Sequence, residues 1–398
     1  MSRTFELESF RDCEAALRNI NLKQALYDAG KVVMDGVLLT LHGAAHSERR
    51  AVEVRVFRRN FFRHYEKTVF PATLAETLRP FVAAGRADLI ELGYRATANL
   101  TADFAGIDRP ERTVEETELL IRLVKKFSEG ATMVHSTRDK VELEGEVLDA
   151  LAVFDKRFNQ PSVARRRELL ADPQTPSEAL PRDVLTVILQ AGDELDMDGA
   201  ALNREMAFYM QAGAHSTANA VVHSVHEILL WANDDAERWA RLADPVFVQR
   251  CVHESLRLHP ASPQAWRSGT CPMHVAGAGE IAAGDKVVLD LFTANRDRDL
   301  FGEGADRFDP DRTMPANMLP SGLTFGIGLH TCLGRELDGG VPVKPGSDPA
   351  THQYGIVALL VIALLELGAR LNPADPPTPD PKTSRPNWGR YPIIFTKV

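Results

Sequence analysis

Residues 325–334 read FGIGLHTCLG, and Cys332 there has surroundings that suggest chemistry. Three glycines, a histidine two places before the thiol and an apolar rim make a short loop. A thiolate is an electron-rich metal ligand. Glycines on either side leave no Cβ to hold off a flat macrocycle approaching the backbone. Haem iron is one metal that a single cysteine holds, and thiolate donation favours O–O cleavage. A competing reading makes Cys332 a catalytic nucleophile, with His330 as the base this needs. Cys13, Cys251 and Cys271 lack the pattern and read as small apolar side chains. No CxxC pair occurs, which argues against an iron–sulfur cluster or a structural zinc.

Other pairs have suggestive spacing. Glu254 and Arg257, in HESLRLHP, share one face of a helix. Read alone they are a surface ion pair worth about 0–1 kcal/mol. His46 and Arg50, in HGAAHSERR, point the same way at a spacing of four; read alone they form an exposed turn. Residues 203–233 form one long helical pattern in which Phe208, Ala212 and Ser216 fall on one face. Gly213 in its middle costs about 1 kcal/mol against alanine, so it calls for a packing or functional reason.

The elements that must position these residues are mostly helices. Residues 1–42 show one helix-like segment and a strand-like run, KVVMDGVLLTL. Helical periodicity runs from 46 to about 155, a loop-rich stretch with one charged helix turn covers 159–183, and a second long helix spans about 237–258. Short β-like runs follow at AWRSGTC, MHVAG and KVVLDLFT. The Gly/Pro-rich stretch 337–355 precedes an apolar helix at 354–365, which is too short to cross a bilayer, and PNWGRYPIIFTKV closes as a strand. Net charge is −9, which argues against nucleic acid as the partner. No leader or membrane segment is expected, and unpaired thiols fit a reducing cytoplasm.

The cysteine loop matches, at every fixed position, the haem-binding signature of the cytochrome P450 family, Phe-x-x-Gly-x-His/Arg-x-Cys-x-Gly. The resemblance runs in family order from about residue 40 to the C-terminus. It implies a single domain over 1–398, mainly α with a small β part, in the cytochrome P450 fold with an abridged N-terminal region (1–42). It makes Cys332 the axial thiolate of haem b, puts Phe325 and Gly334 around the sulfur, and sets His330, Arg267, His46 and Arg50 on the haem carboxylates. It turns Glu254, Arg257 and Arg307 into a buried structural triad. AGAHS (212–216) with Thr217 stands where the family carries Ala-Gly-x-Asp/Glu-Thr. Gly213 then leaves room for dioxygen and Ser216 meets it. His215 replaces the acid, giving a His215–Ser216 proton relay or a histidine that merely packs beside the helix. Phe208, Tyr209 and Met210, with Ala212, Ser262 and Gln264, line a mainly apolar substrate pocket.

The resemblance implies a monooxygenase of secondary metabolism that hydroxylates, epoxidises or dealkylates a medium-sized molecule. Coupling, desaturation, peroxide-driven turnover or a non-catalytic haem protein stand as alternatives. It further implies a cytoplasmic monomer. Its electron donor is a ferredoxin docked at a basic helix, 49–67, and the thiolate face, where 337–355 reads as an insertion.

Overall fold

The computed structural model describes residues 2–111, 113–195, 197–344 and 346–397. A 34-residue central helix, Gly199–Ala232, organises it. The Asp198 carboxylate caps its start by accepting from the Ala201 N–H, and at its end Asn233 turns to a φ of 41°. Such a side-chain cap satisfies one of the amides that a helix start leaves orphaned. Against it lies the packing helix Leu89–Ala105, itself capped by Asp88. Small residues let the two approach: a Cβ on Gly93 would come within 3.1 Å of the Ala218 Cβ. The Thr97 hydroxyl bonds across to the Ala214 carbonyl at 3.2 Å.

Two large apolar clusters flank this pair. One contains the apolar helix Ile356–Glu366, the other Val114–Ala131 and Lys140–Phe154. A third packs under a four-stranded sheet in the order Thr4–Leu7, Lys286–Asp290, Gln264–Gly269, Leu22–Gln24. The first pair is parallel and the other two are antiparallel. Thus residues 1–42 hold two strands and the helix Phe10–Arg18, more than expected of an abridged region. The strand-like KVVMDGVLLTL is two helical turns, Lys31–Met34 and Leu38–Thr40, broken at Gly36 with φ 70°. Val33, Met34, Val37 and Leu38 are all buried, so the run lacks the alternating burial of a half-exposed strand.

Three other expectations change. The stretch 159–183 contains a 12-residue helix, Gln160–Ala171, tied down by Arg166 on Asp183. The second long helix is two, Ala236–Arg241 and Pro245–Leu258, because Pro245 starts a new first turn under the Asp244 cap. The basic stretch 49–67 is not one helix: Gly43–Glu53 ends, and Arg59–His64 begins again. Arg49 is buried on Glu205 rather than displayed. After the cysteine loop a four-residue turn, Arg335–Asp338, gives way to irregular chain before Ile356. That chain is pinned by the Gln249 amide on the Tyr354 carbonyl and by Glu66 on the Tyr354 and Gly355 amides. Pro345 of this stretch lies outside the described residues.

The buried pair is confirmed and its third member corrected. Arg257 grips both oxygens of Glu254, at 2.8 and 2.7 Å. The second arginine on Glu254 is Arg312, at 3.0 Å, while Arg307 is exposed. Arg312→Ala should cost about 3 kcal/mol by leaving a buried carboxylate half-paired. Arg307→Ala should cost less than about 0.5 kcal/mol. Urea unfolding of the two variants measures the difference, and equal losses would restore Arg307 to the triad.

Candidate functional site

The loop around Cys332 is closed by its own backbone: the Cys332 N–H donates to the Phe325 carbonyl at 2.9 Å. Gly328 sits at φ 74°, and a Cβ there would come within 2.6 Å of the Leu17 carbonyl oxygen, so only glycine fits against the 10–18 helix. Gly339 likewise leaves room for the Phe325 ring, 3.2 Å from where its Cβ would be. The loop thus holds the thiol at the wall of a cavity of about 340 Å³. Cys332 is not packed over; it opens on this cavity. The surrounding protein pushes its thiol up to about 11, with nearby Asp338 adding to the push.

His46, Arg50, Arg267 and His330 line the same cavity. The His46 and His330 rings meet edge to face, 4.6 Å between centres. Both nitrogens of His46 and the Nε2 of His330 are buried without a hydrogen-bond partner. Burial and the neighbouring cations lower His46 to about 4 and His330 to about 3, so both rings are neutral. Arg50 donates to the Thr331 carbonyl at 2.7 Å, next to the thiol. Arg267 donates to Gln24 and to a backbone carbonyl, with no carboxylate on it. Orphaned N–H groups and unpaired guanidiniums at one cavity are a receptor for carboxylates. Among the described residues no group of three or more His, Cys, Asp or Glu side chains is placed to hold a metal ion. A metal on Cys332 must therefore bring its other donors, as a macrocycle does. These residues fit a haem.

The other wall is the central helix. Phe208, Ala212, Gly213, Ser216 and Thr217 line the cavity, and so do Ser262 and Gln264 across from them. Met210 does not: two positions on from Phe208 it lies about 200° around the helix, and it is fully buried in the core. The Ser216 hydroxyl turns back to the Ala212 carbonyl at 2.5 Å.

His215 faces the opposite way. Its Nε2 takes a hydrogen bond from Arg385 at 2.8 Å and its Nδ1 meets the Tyr94 hydroxyl at 2.6 Å. A guanidinium only donates, so Nδ1 carries the proton. Burial, then Arg385, keep the ring neutral. His215 and Ser216 form no relay; one step along a helix turns a side chain by about 100°. Gly213 lines the cavity, and it also packs against the neighbouring helix. A Cβ there would lie 2.3 Å from the Thr101 Cγ2, so its smallness serves the contact with the packing helix.

Several site residues went unnoticed in the sequence. Asp338 lines the cavity, accepts from the Thr217 hydroxyl at 2.6 Å, and is pushed up to about 6 by burial. Its place six residues after Cys332 was the available signal. Tyr209 donates to Glu53 at 2.6 Å; burial, then Glu205, raise Glu53 well above the carboxylate range. Nothing in spacing marks two acids 152 residues apart as neighbours.

A lone cysteine under a glycine turn, facing anion-seeking nitrogens around one cavity in a helical body, fits a haem held on a thiolate. The Cytochrome P450 family matches residues 205–337. Nocardicin C N-oxygenase of Nocardia uniformis subsp. tsuyamanensis is 31% identical over 210 residues, 52% of this chain and 46% of that protein. Erythromycin C-12 hydroxylase of Saccharopolyspora erythraea is 31% identical over 209 residues, 47% and 48% of the two. The matches thus span about half the length of these relatives. The crystal structure of CalO2 shares the fold with a TM-score of 0.75 at 22% identity, over 98% of this chain and 90% of that one. Residues 205–337 thus resemble the cytochrome P450 family, whose members hold haem on a cysteine thiolate, and nearly the whole chain shares the fold of solved cytochrome P450 structures. No helix of the described residues is long and apolar enough to cross a membrane.

Gly213→Ala should destabilise by about 1–3 kcal/mol, the cost of overpacking. Thr101→Ser removes the clashing methyl but keeps the hydroxyl that bonds to the Thr97 carbonyl. The double variant should recover most of the loss in thermal unfolding. No recovery would show that the loss does not come from the Thr101 contact.

Proposed function

We propose that this protein is a monooxygenase that holds haem b on Cys332 and oxidises a medium-sized, mainly apolar organic molecule. The observation that carries the reading is one cavity shared by an open thiol, four carboxylate-seeking nitrogen side chains and the Phe208–Ala212–Ser216 face of the central helix. Bound haem supplies the iron that activates dioxygen. Cys332 gives the thiolate; His46, Arg50, Arg267 and His330 take the carboxylates. Phe57, Phe104 and Phe208 furnish apolar wall, while Ser262 and Gln264 offer polar contacts that orient the substrate. Ser216 moves protons at its Oγ, with the Ala212 carbonyl as resting acceptor. Asp338 holds a proton near the Thr217 hydroxyl on the thiolate side.

A ferredoxin-type donor suits the thiolate face. Arg55, Arg58, Arg63 and Lys67 are exposed there, and Arg59 ties this stretch to Glu336, four residues past the thiol. Such a patch steers an acidic partner and weakens with salt. His215 turned away leaves Ser216 without an acidic neighbour on the helix. That favours, as a second reading, peroxide-driven turnover.

The test is a spectral titration of the purified ferric protein with a panel of small molecules. A thiolate-haem spectrum that some compound shifts from low to high spin is expected, and Cys332→Ser should abolish that spectrum. No haem after expression with ample haem would overturn the reading. With a substrate in hand, ferredoxin-driven turnover should fall about tenfold or more from low to high salt. Peroxide supporting rates that ferredoxin cannot would establish the second reading.

A further inference from the structure

Five arginines are buried among the described residues: Arg49, Arg166, Arg257, Arg267 and Arg385. Three of them pair with buried carboxylates, Arg49 with Glu205, Arg166 with Asp183 and Arg257 with Glu254. Arg267 has no carboxylate, and it faces the cavity whose donors suit the acid groups of haem. Arg385 has none either. It is 8% exposed, and its partners are neutral: His215 at 2.8 Å, the Thr132 hydroxyl at 3.2 Å and the Ala261 carbonyl at 3.4 Å. Its Nε has no partner at all. A buried charge without a counterion is costly to fold, so one that is kept wants an anion from outside the chain.

Arg385 does not border the haem cavity. It lines a second one, also of about 340 Å³, on the other side of the central helix, between the packing helix, the 114–131 helix and the 378–390 hairpin. Lys125 borders it too, its ammonium 4.6 Å from the centre of the Tyr94 ring. The full charge inventory of this cavity is Lys125, Lys382, Arg385 and Arg390 against Glu129 and Asp380. The excess is cationic in a chain of net charge −9. Glu129 is engaged with Lys126, Arg138 and Lys382, and Arg390 with Asp375 and Asp88, which leaves Lys125 and Arg385 against Asp380, an acid that accepts from the Lys382 N–H and also acts on Arg385. Hydroxyls of Ser128, Thr132 and Ser136 add hydrogen-bonding capacity, and Trp388 with Ile90 gives an apolar side.

We propose that this second cavity binds a small organic carboxylate, gripped by the Arg385 guanidinium with Lys125 as second cation. A planar guanidinium matches a planar carboxylate in two parallel hydrogen bonds. The two fixed acids on the same wall disfavour the more concentrated charge of a phosphate. His215 is then a positioning residue: it holds one edge of Arg385 while Tyr94 holds His215. Asn219 and Asn387 line both cavities, so the bound acid sits one residue's thickness from the substrate. The site stands apart from the redox reading and survives if that reading fails.

The test uses the haem-loaded protein and three probes: succinate, its neutral amide succinamide, and inorganic phosphate. Calorimetric titration should show one succinate per chain, and succinate should raise the melting temperature. Succinamide and phosphate should bind at least about tenfold more weakly. Arg385→Gln should weaken succinate about tenfold or more and Lys125→Gln several-fold, while the exposed control Arg307→Gln changes nothing. Without ligand, Arg385→Gln should melt no lower than the parent, because it removes an uncompensated buried charge. A purely structural arginine predicts the reverse, a lower melting temperature with succinate binding unchanged, and that result overturns the proposal. So does no binding of succinate, or phosphate binding more tightly. A haem spectral shift with succinate that persists in Arg385→Gln would put the acid in the main cavity and also overturn it.

Discussion

The Arg257 guanidinium is fully buried, and much of the site hangs from where its hydrogen bonds go. Two hold Glu254 on the next turn of the same helix; the others reach the Asn295 and Ala305 carbonyls. Asn295 is thereby fixed, and its side chain donates back to the Arg257 carbonyl and accepts from the Leu323 N–H. Thr324, next in line, donates to the Leu256 carbonyl. Phe325 follows at once, and its carbonyl takes the Cys332 N–H. One buried cation therefore sets, in few steps, the height at which the cysteine loop enters the cavity. Its own neutralisation by Glu254, shared with Arg312, is what makes its burial tolerable.

Local chemistry was legible in the sequence where a short motif is also a rigid object. The cysteine loop is such a case: its Gly328 is needed by a backbone turn set within one short stretch of chain. The face Phe208–Ala212–Ser216 was legible for a similar reason, since a helix carries its own ruler. The reading failed where a role depends on what lies across a gap. Arg307 and Arg312 both follow the helix of Glu254 on irregular chain, and only the path of that chain decides which one turns inward. His215 and Ser216 are adjacent, but Tyr94 and Arg385 draw His215 to the far side of the helix while Ser216 faces the cavity. Gly213 reads as open space at the cavity, which it lines, but spacing does not show its contact with Thr101, 112 residues away.

The fold was legible in class but less so in its joints. Long amphipathic periods predicted helices well, and Pro245 was passed over because a proline at a first helical turn is compatible with helix on both sides of it. The run at 31–41 misled because β-branched Val and Thr favour strands only where a strand partner exists, and here Val33 and Val37 fill a helical core beside Leu38. The stretch after the cysteine loop reads as loose by its glycines and prolines, yet buried His352, Gln353 and Tyr354 and the Glu66 carboxylate bind it to the body.

The buried arginines make a more general point about reading function from charge. Those that serve the fold carry their counterions with them in the chain: Glu205, Asp183, Glu254. Those that border cavities do not. A counterion built into the chain keeps a guanidinium from rewarding any ligand, because the incoming anion would meet a charge already spent. Leaving Arg267 and Arg385 unpaired lowers the stability of the empty protein and raises the gain on binding by the same interaction. The site residues are therefore marked less by their type than by the missing partner. No sequence spacing shows this, since it is a statement about which acids fail to reach them.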